Sequence, residues 1–278
     1  MRRWLTIIAV LMLGANVAHA ADIPRRIVSF NLCADQLVLA LADQDQIAGL
    51  SPYAADPALS VMAEKAQAFP RLDWQGESVI PLQPDLVLTG TWDRPVTRRL
   101  LGALGYRIAE VELVTDIASA RAQVTAMAEL LGHPERGAAM VRAIDAAAKK
   151  LTDLAGLAGR NKTALVLERG GFASGTATLA SALVGQAGFV PPAHAPPGFG
   201  GFLPLEKLLV LKPDFVVLKD PPRAPTDQGA LYLTHPALRA AYPPERQINL
   251  PARFALCGGP ALVMALDYLG NELQARVR

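Results

Sequence analysis

The 278-residue chain is short of the residues that hold bare metal ions, with two cysteines and four histidines. One histidine, His19, falls in an N-terminal leader, so only His133, His194 and His235 remain beyond it. They are too dispersed to supply the converging His, Asp and Glu ligands of a zinc or manganese site. An excess of one charge is missing too. Without Arg2 and Arg3 of the leader, the 27 basic residues fall to parity with the 25 acidic ones. A neutral chain lacks the basic face that nucleic acid requires. Beyond residues 5–13 no apolar run approaches the roughly 20 residues of a membrane span. Catalytic signatures are equally thin. No phosphate loop G-K-[ST] occurs, and Gly198-Phe199-Gly200-Gly201 lacks the third glycine and preceding strand of a dinucleotide fingerprint. In Gly171-Phe172-Ala173-Ser174-Gly175 the serine stands one place too late for a nucleophile elbow.

The leader itself is well marked. Arg2 and Arg3 precede the apolar residues 5–13, and Ala18-His19-Ala20 offers a signal peptidase its small residues. Cleavage after Ala20 is expected, giving an exported, soluble, periplasmic chain. No cysteine follows that site, so a lipid anchor is not indicated.

One phrase occurs twice. Glu77-x-x-Ile80-x-Leu82-x-Pro84-Asp85-Leu86-Val87 returns as Glu206-x-x-Leu209-x-Leu211-x-Pro213-Asp214-Phe215-Val216. Each copy reads as a short helix opened by an acid, stopped before proline, then dropped into a buried strand. Two similar α/β lobes with a cleft between them follow from this. The first lobe spans residues 21–133, with strands at 26–30, 47–50, 86–88 and 108–113 and helices at 34–41 and 96–104. The alternation favours parallel pairing. Residues 116–131 and 135–157 are alanine-rich and helical, broken only by Gly132-His133-Pro134. The second stretch lies midway between the two phrases, so residues 134–158 are expected to join the lobes as one long α-helix. The second lobe, 159–278, resumes with a strand at 164–167, a glycine-rich loop at 170–171, a helix near 179–187, the second phrase, a last strand near 247–250 and a closing helix from 260. The expected fold is α/β, two Rossmann-like lobes with mainly parallel sheets.

These features in this order resemble the periplasmic binding proteins for ferric siderophores and cobalamin, the substrate-binding components of ABC importers whose lobes are joined by one long helix. The elements that carry the resemblance are Arg26-Ile27-Val28-Ser29-Phe30 before a helix, Gly49-Leu50-Ser51-Pro52-Tyr53, and the two phrases. It extends over nearly the whole chain after the leader. It implies capture of a metal chelate, whether ferric siderophore, haem or cobalamin, and delivery to a dimeric permease in the inner membrane. The metal arrives within the cargo, so no resident cofactor is expected, and the protein should act as a monomer. The resemblance also implies that Glu77 and Glu206 dock onto permease arginines.

Ligands of open α/β sheets bind beyond the carboxyl ends of the strands. Residues there include Phe30, Asn31 and Cys33 after the first strand, Tyr53 after the second, Trp92 and Arg94 after the third, Phe172, and Arg253 with Phe254 after the last; Trp74 precedes the first phrase. The expected ligand-binding set is Tyr53, Trp74, Trp92, Arg94, Phe172, Arg253 and Phe254. Rings supply area and guanidinium pairs with carboxylate, hydroxamate or phosphate oxygens, which suits a large flat or chelated ligand. Core packing is the rival reading for Phe30 and Phe254. His133, in the helix-breaking turn, is expected at the surface, and His194 is the one candidate axial ligand to a chelated metal.

Cys33 and Cys257 fall on cleft loops of opposite lobes in an oxidising compartment. Three readings stand: a disulfide between the lobes, a thiolate ligand at Cys33 near a helix start, or two buried small hydrophobes. Cys257-Gly258-Gly259-Pro260 indicates close backbone approach to either ligand or opposite lobe. The rival functions are a zinc- or manganese-binding protein of the related branch and an enzyme using Cys33 as nucleophile.

Overall fold

The computed structural model of the chain describes residues 23–158, 161–219 and 227–277. The expected leader, residues 1–20, lies outside them. The first lobe contains β1 (Ile27–Ser29), α1 (Leu32–Leu41), β2 (Ile47–Gly49), α2 (Ala63–Ala66), β3 (Leu86–Gly90), α3 (Pro95–Ala103) and β4 (Ile108–Val111). Its sheet has the order β2-β1-β3-β4, with every pair parallel. All five residues of β3 are buried, as expected of a continuous apolar strand in a parallel sheet.

Two helices follow with no strand between them, α4 (Ile117–Leu131) and α5 (Pro134–Ala158). Asp116 caps α4 by accepting from the Ser119 amide at 2.7 Å, and Gly132, at φ 82°, ends it. Pro134 then opens α5, whose 25 residues extend about 37 Å. The second lobe contains β5 (Ala164–Leu167), β6 (Phe172–Ser174), α6 (Leu179–Gln186), β7 (Gly200–Phe202), α7 (Leu205–Leu211), β8 (Phe215–Lys219), α8 (Leu231–Thr234), α9 (Pro236–Ala241), β9 (Gln247–Leu250), α10 (Ala252–Ala255) and α11 (Pro260–Val277). The sheet order is β7-β6-β5-β8-β9. Strands β5, β8 and β9 are parallel, whereas β6 runs antiparallel to both β5 and β7. The glycine-rich loop of the sequence reading is therefore the turn into an added antiparallel edge.

The repeated phrase has a structural cause. In the first copy the segment before proline is a pair of 3-10 turns, Gly76–Ser78 and Ile80–Leu82, and in the second it is α7. Both copies end on a left-handed residue, Gln83 at φ 44° and Lys212 at φ 46°. The aspartate that follows turns back onto the start of its lobe's first strand. Asp85 accepts from the Arg25 and Arg26 amides at 2.7 and 3.0 Å, and Asp214 accepts from the Thr163 amide at 2.8 Å and its hydroxyl at 2.9 Å. These bonds set the start of each parallel pair. The Thr163 amide bond holds the Asp214 carboxyl below the usual carboxylate range.

The hydrophobic core is not divided between the lobes. One cluster runs from Ile27, Leu37 and Leu88 through Val124, Ile144 and Leu151 to Val166, Leu183, Val217 and Leu266. Helix α5 packs against α4 on one side and α11 on the other. Smaller clusters lie under the outer layers, Val28, Phe30, Val79 and Leu101 in the first lobe and Leu165, Leu208, Val216 and Tyr242 in the second. Within the described residues no helix is long and apolar enough to cross a membrane.

Candidate functional site

By the strand-end rule the candidate cleft lies beyond the carboxyl ends of β1, β3, β5 and β8, and its first-lobe wall is set by one hydrogen-bonded link. The Asn31 side chain accepts from the Cys33 and Ala34 amides, capping α1, and donates through Nδ2 to Asp93 at 2.7 Å. The same Asp93 oxygen accepts from the Gly90 amide at 3.0 Å. A Cβ on Gly90 would sit 2.4 Å from Asp93 and 2.6 Å from Asn31, so only glycine admits this link. The loop after β3 thereby carries Trp92 outward, 86% exposed. Arg94 follows in the left-handed region, at φ 39°, before Pro95. Its guanidinium lies 4.6 Å from the centroid of Trp74, which meets Tyr53 edge-on at 5.1 Å. Tyr53, Trp74 and Arg94 thus form one continuous surface.

Beneath Tyr53 lies a buried acid. The Ser51 hydroxyl donates to Asp35 at 2.5 Å, and the Tyr53 amide approaches that same hydroxyl at 3.3 Å. Asp35 is fully buried, and burial pushes its carboxyl up to about 7, outweighing the hydrogen bonds from Ser29 and Ser51 that lower it. Position 35 is therefore part of the support of the Tyr53 loop, a role without a sequence signal.

The lobes meet at the cleft floor through a disulfide. Cys33, in the first turn of α1, is bonded to Cys257, between α10 and α11, with Cα atoms 5.1 Å apart. Neither sulfur is available as thiolate ligand or nucleophile, which removes those two readings of the cysteines. The glycines after Cys257 allow the close approach. A Cβ on Gly259, at φ 62°, would sit 2.7 Å from Leu37 of α1, and one on Gly258 3.2 Å from Ala120 of α4. The approach is to the opposite lobe. A pocket of about 110 Å³ beside the disulfide is lined by Asn31, Cys33, Thr91, Trp92, Leu113 and Leu256.

The second-lobe wall departs further from the sequence reading. Phe172 and Phe202 pair edge-on at 5.7 Å on β6 and β7. Arg253 donates to the Pro57 carbonyl at 3.2 Å across the lobes and lies 4.9 Å from the Phe254 ring. Phe254 itself is only 6% exposed and packs on Tyr268 at 5.3 Å, so it is a core residue and not a ligand contact. Phe30 is buried likewise, in the cluster with Val28 and Leu72. Three polar residues were missed. At the carboxyl ends of β5 and β8 the Glu168 carboxylate pairs with Lys219 at 3.0 Å and accepts from Ser174 at 2.5 Å. The next residue, Arg169, forms a two-pronged pair with Asp227. Glu168 and Lys219 each close an apolar strand run, so the carboxyl-end rule could have found them.

The histidines are accounted for separately. His133 is not at the surface as expected: its side chain is 16% exposed and contacts Gln46 at 3.1 Å and Asp43 at 3.3 Å. The reason is that the start of α5 lies against the loop before β2. His235 caps α9 by accepting from the Ala237 amide. His194 sits exposed in a turn at φ 65°. Among the described residues no group of three or more His, Cys, Asp or Glu side chains could hold a metal ion. Glu77 and Glu206 are both exposed, on the outer layers of their lobes.

Comparison with known proteins agrees with this architecture. The periplasmic heme-binding protein RhuT of Roseiflexus sp. RS-1 superposes with a TM-score of 0.73 at 22% identity, covering 91% of this chain and 99% of that one. A periplasmic heme-binding protein from Pseudomonas aeruginosa gives 0.74 at 21% identity over 92% and 94%. The vitamin B12 binding protein BtuF of Vibrio cholerae gives 0.69 at 17% over 91% and 98%. No curated protein sequence matches the chain. The family model for periplasmic binding proteins matches residues 27–230, from β1 to the residue before α8. With that match over most of its length, the chain belongs to the periplasmic binding protein family.

Proposed function

We propose that the chain is the exported, monomeric substrate-binding component of an ABC importer that captures an iron chelate with a flat face and acidic edge groups and delivers it to the permease. The observation that carries the cargo class is the placement of two arginines. Arg94 and Arg253 lie over the rings of Trp74 and Phe254, and among the described residues neither has a carboxylate partner. Their charge is therefore available to ligand oxygens, while Lys219 and Arg169 are matched within the protein by Glu168 and Asp227. Tyr53, Trp74 and Trp92 supply the ring area that a flat chelate covers. The heme-binding neighbours favour the same reading.

The chain's own residues bind and orient without turnover. The Asn31–Asp93 link fixes the loop bearing Trp92 and Arg94, and the disulfide with the shared core restrains the lobes, so the cleft is largely formed before the ligand enters. The metal comes and goes within the cargo. Glu77 and Glu206 guide docking on the permease, and the leader is removed after Ala20.

Fluorescence of Trp74 and Trp92 in the leaderless protein, titrated with haemin, a ferric hydroxamate siderophore and cyanocobalamin, tests this. Saturable quenching by haemin or the ferric siderophore at sub-micromolar concentration, weakened in Arg94→Gln, is the expected result. Quenching by cyanocobalamin alone, or by none of the three, would overturn it.

A further inference from the structure

We infer that a second space beside the cleft, the groove between β4 and α4, takes an uncharged apolar arm carried by the cargo chelate. This rests on the iron-chelate reading proposed above and narrows it to amphiphilic chelates. Strand β4 ends the first-lobe sheet, and between it and α4 lies a cavity of about 360 Å³, a volume in the range of small-ligand sites. Leu88, Val111 and Met127 give it a buried apolar lining, and Leu113, also in the lining, is 56% exposed. The space persists because Ala109, Ala122 and Ala126 line it at positions where larger side chains would fill it.

The chemistry of the groove selects an uncharged guest. Its described lining has no Lys, Arg or His. The two carboxylates there are Glu110, paired with Arg98 at 3.1 Å, and the exposed Glu112. The Ser119 hydroxyl is taken up by the α4 cap, donating to Asp116 and accepting from the Thr115 and Asp116 amides. An anionic head would meet two glutamates and no lining cation, so a free fatty acid does not suit this groove.

The groove backs onto the cleft floor. Residues 111–114 and Gln123 line both the groove and the pocket of about 110 Å³ beside Trp92 and the disulfide, so these residues are the partition between the two spaces. Gln123 closes the partition. Its Nε2 donates to the Glu112 carbonyl at 2.6 Å, which fixes the orientation of the amide, and Oε1 is left buried without a partner among the described residues. A buried acceptor that lacks a donor weakens the closed position of this side chain, so the partition yields there first. An arm that passes it leaves the chelate head in the cleft, where Arg94 and Arg253 take its acidic groups, and places only carbon in the groove. A compact chelate leaves the groove empty, and a free apolar molecule lacks the head that the arginines hold.

The test is calorimetric titration of the full leaderless protein with haemin and with a ferric hydroxamate chelate, each with and without a decyl arm attached away from its iron-binding and acidic groups. A few buried methylenes suffice for a tenfold gain, so the arm is expected to tighten binding of the cargo head by about tenfold or more in the parent. Ala126→Phe and, separately, Ala122→Leu fill the groove from exposed helix positions; each is expected to remove most of that gain and to leave the armless chelate within about twofold of its parent affinity. Unchanged denaturation midpoints show that both variants are folded. Gln123→Ala, which removes the closing hydrogen bond, is expected to speed association of the arm-bearing chelate and not of the armless one. An arm that adds nothing in the parent, or adds as much in both filled variants as in the parent, would overturn the inference, and the armless chelate would still bind, leaving the importer reading standing. Failure of both armless heads to bind the parent would overturn that reading and the inference with it.

Discussion

Replacing both cysteines, Cys33→Ala with Cys257→Ala, removes a bond that closes a loop of 224 residues. In the chain-entropy description, the cost of leaving the unfolded chain unlinked grows with the logarithm of that separation and reaches about 5 kcal/mol at 25 °C. Alanine fills most of the space of each thiol, and Cys257 is buried, so a small packing loss adds to the entropic term. A chain of this size unfolds in guanidinium with a slope of about 5 kcal/mol/M, which turns the loss into a midpoint shift of roughly 1 M. The assay is guanidinium unfolding followed by tryptophan fluorescence and by circular dichroism on the oxidised parent, the parent in reductant and the double variant. Because one core spans both lobes, the two probes should give a single coincident transition in every sample. A midpoint shift below about 0.2 M at unchanged slope would refute the reasoning, since the bond would then constrain little of the unfolded chain. Separate transitions for the two lobes would refute the shared core.

Asp35 gives a pH prediction of defined sign. Its folded carboxyl, at about 7, lies above the ordinary 3.8, so the folded state binds the extra proton between those values. Stability should therefore fall as pH rises through that window, by on the order of 4 kcal/mol, and level off above it; Asp35→Asn should abolish the slope. Guanidinium midpoints at pH 5 and 8 should show about 3 kcal/mol of it, and an unchanged slope in the variant would assign the effect elsewhere. Asp43, Asp116 and Asp214 have depressed carboxyls, held down first by the Arg136, Ser119 and Thr163 hydrogen bonds respectively. Their contribution is present above the unfolded carboxylate range and is lost as pH falls below it, so acid unfolding of Asp214→Asn should show a smaller loss than the parent. Gly90→Ala should break the Asn31–Asp93 link and lower ligand affinity about tenfold while costing about 1–2 kcal/mol in stability, read by quenching and by the denaturation midpoint. Full affinity in that variant would show that the loop is not the positioning element.

The long elements were legible because pattern and termination agreed. Asp116, Gly132 and Pro134 bracket α4 and open α5 with cap, left-handed stop and N1 proline, so local chemistry alone sets those ends. The two phrases were legible as a repeat, though the role of Asp85 and Asp214 in anchoring the first strand of each lobe needed coordinates. Strands β6 and β7 escaped because three residues with two glycines in β7 carry no readable alternation. Within the site, Tyr53, Trp74 and Arg94 were named one by one, and only the fold brings them into contact. Phe254 misled because residues after a strand point either to the cleft or back under it, and α10 turns this ring towards α11. Glu168 and Lys219 both close apolar strand runs, but a lone polar residue at a strand end carries no signal of the partner that it meets in the fold.

The continuous core has a bearing on modularity. Phe189 and Ala187 of the second lobe belong to the same apolar cluster as Leu39 and Val38 of the first, and α5 contributes to it along its length. Neither lobe can be lifted out as an independent folding unit without exposing the face that the other covers. Exchange of lobes with a relative to graft a new cargo preference would therefore require matched core residues on α4, α5 and α11, whereas substitution of single exposed side chains such as Tyr53 and Trp92 would leave that surface intact. For a binding role such as the one proposed, the interior would leave a change of cargo preference to exposed side chains and not to whole lobes.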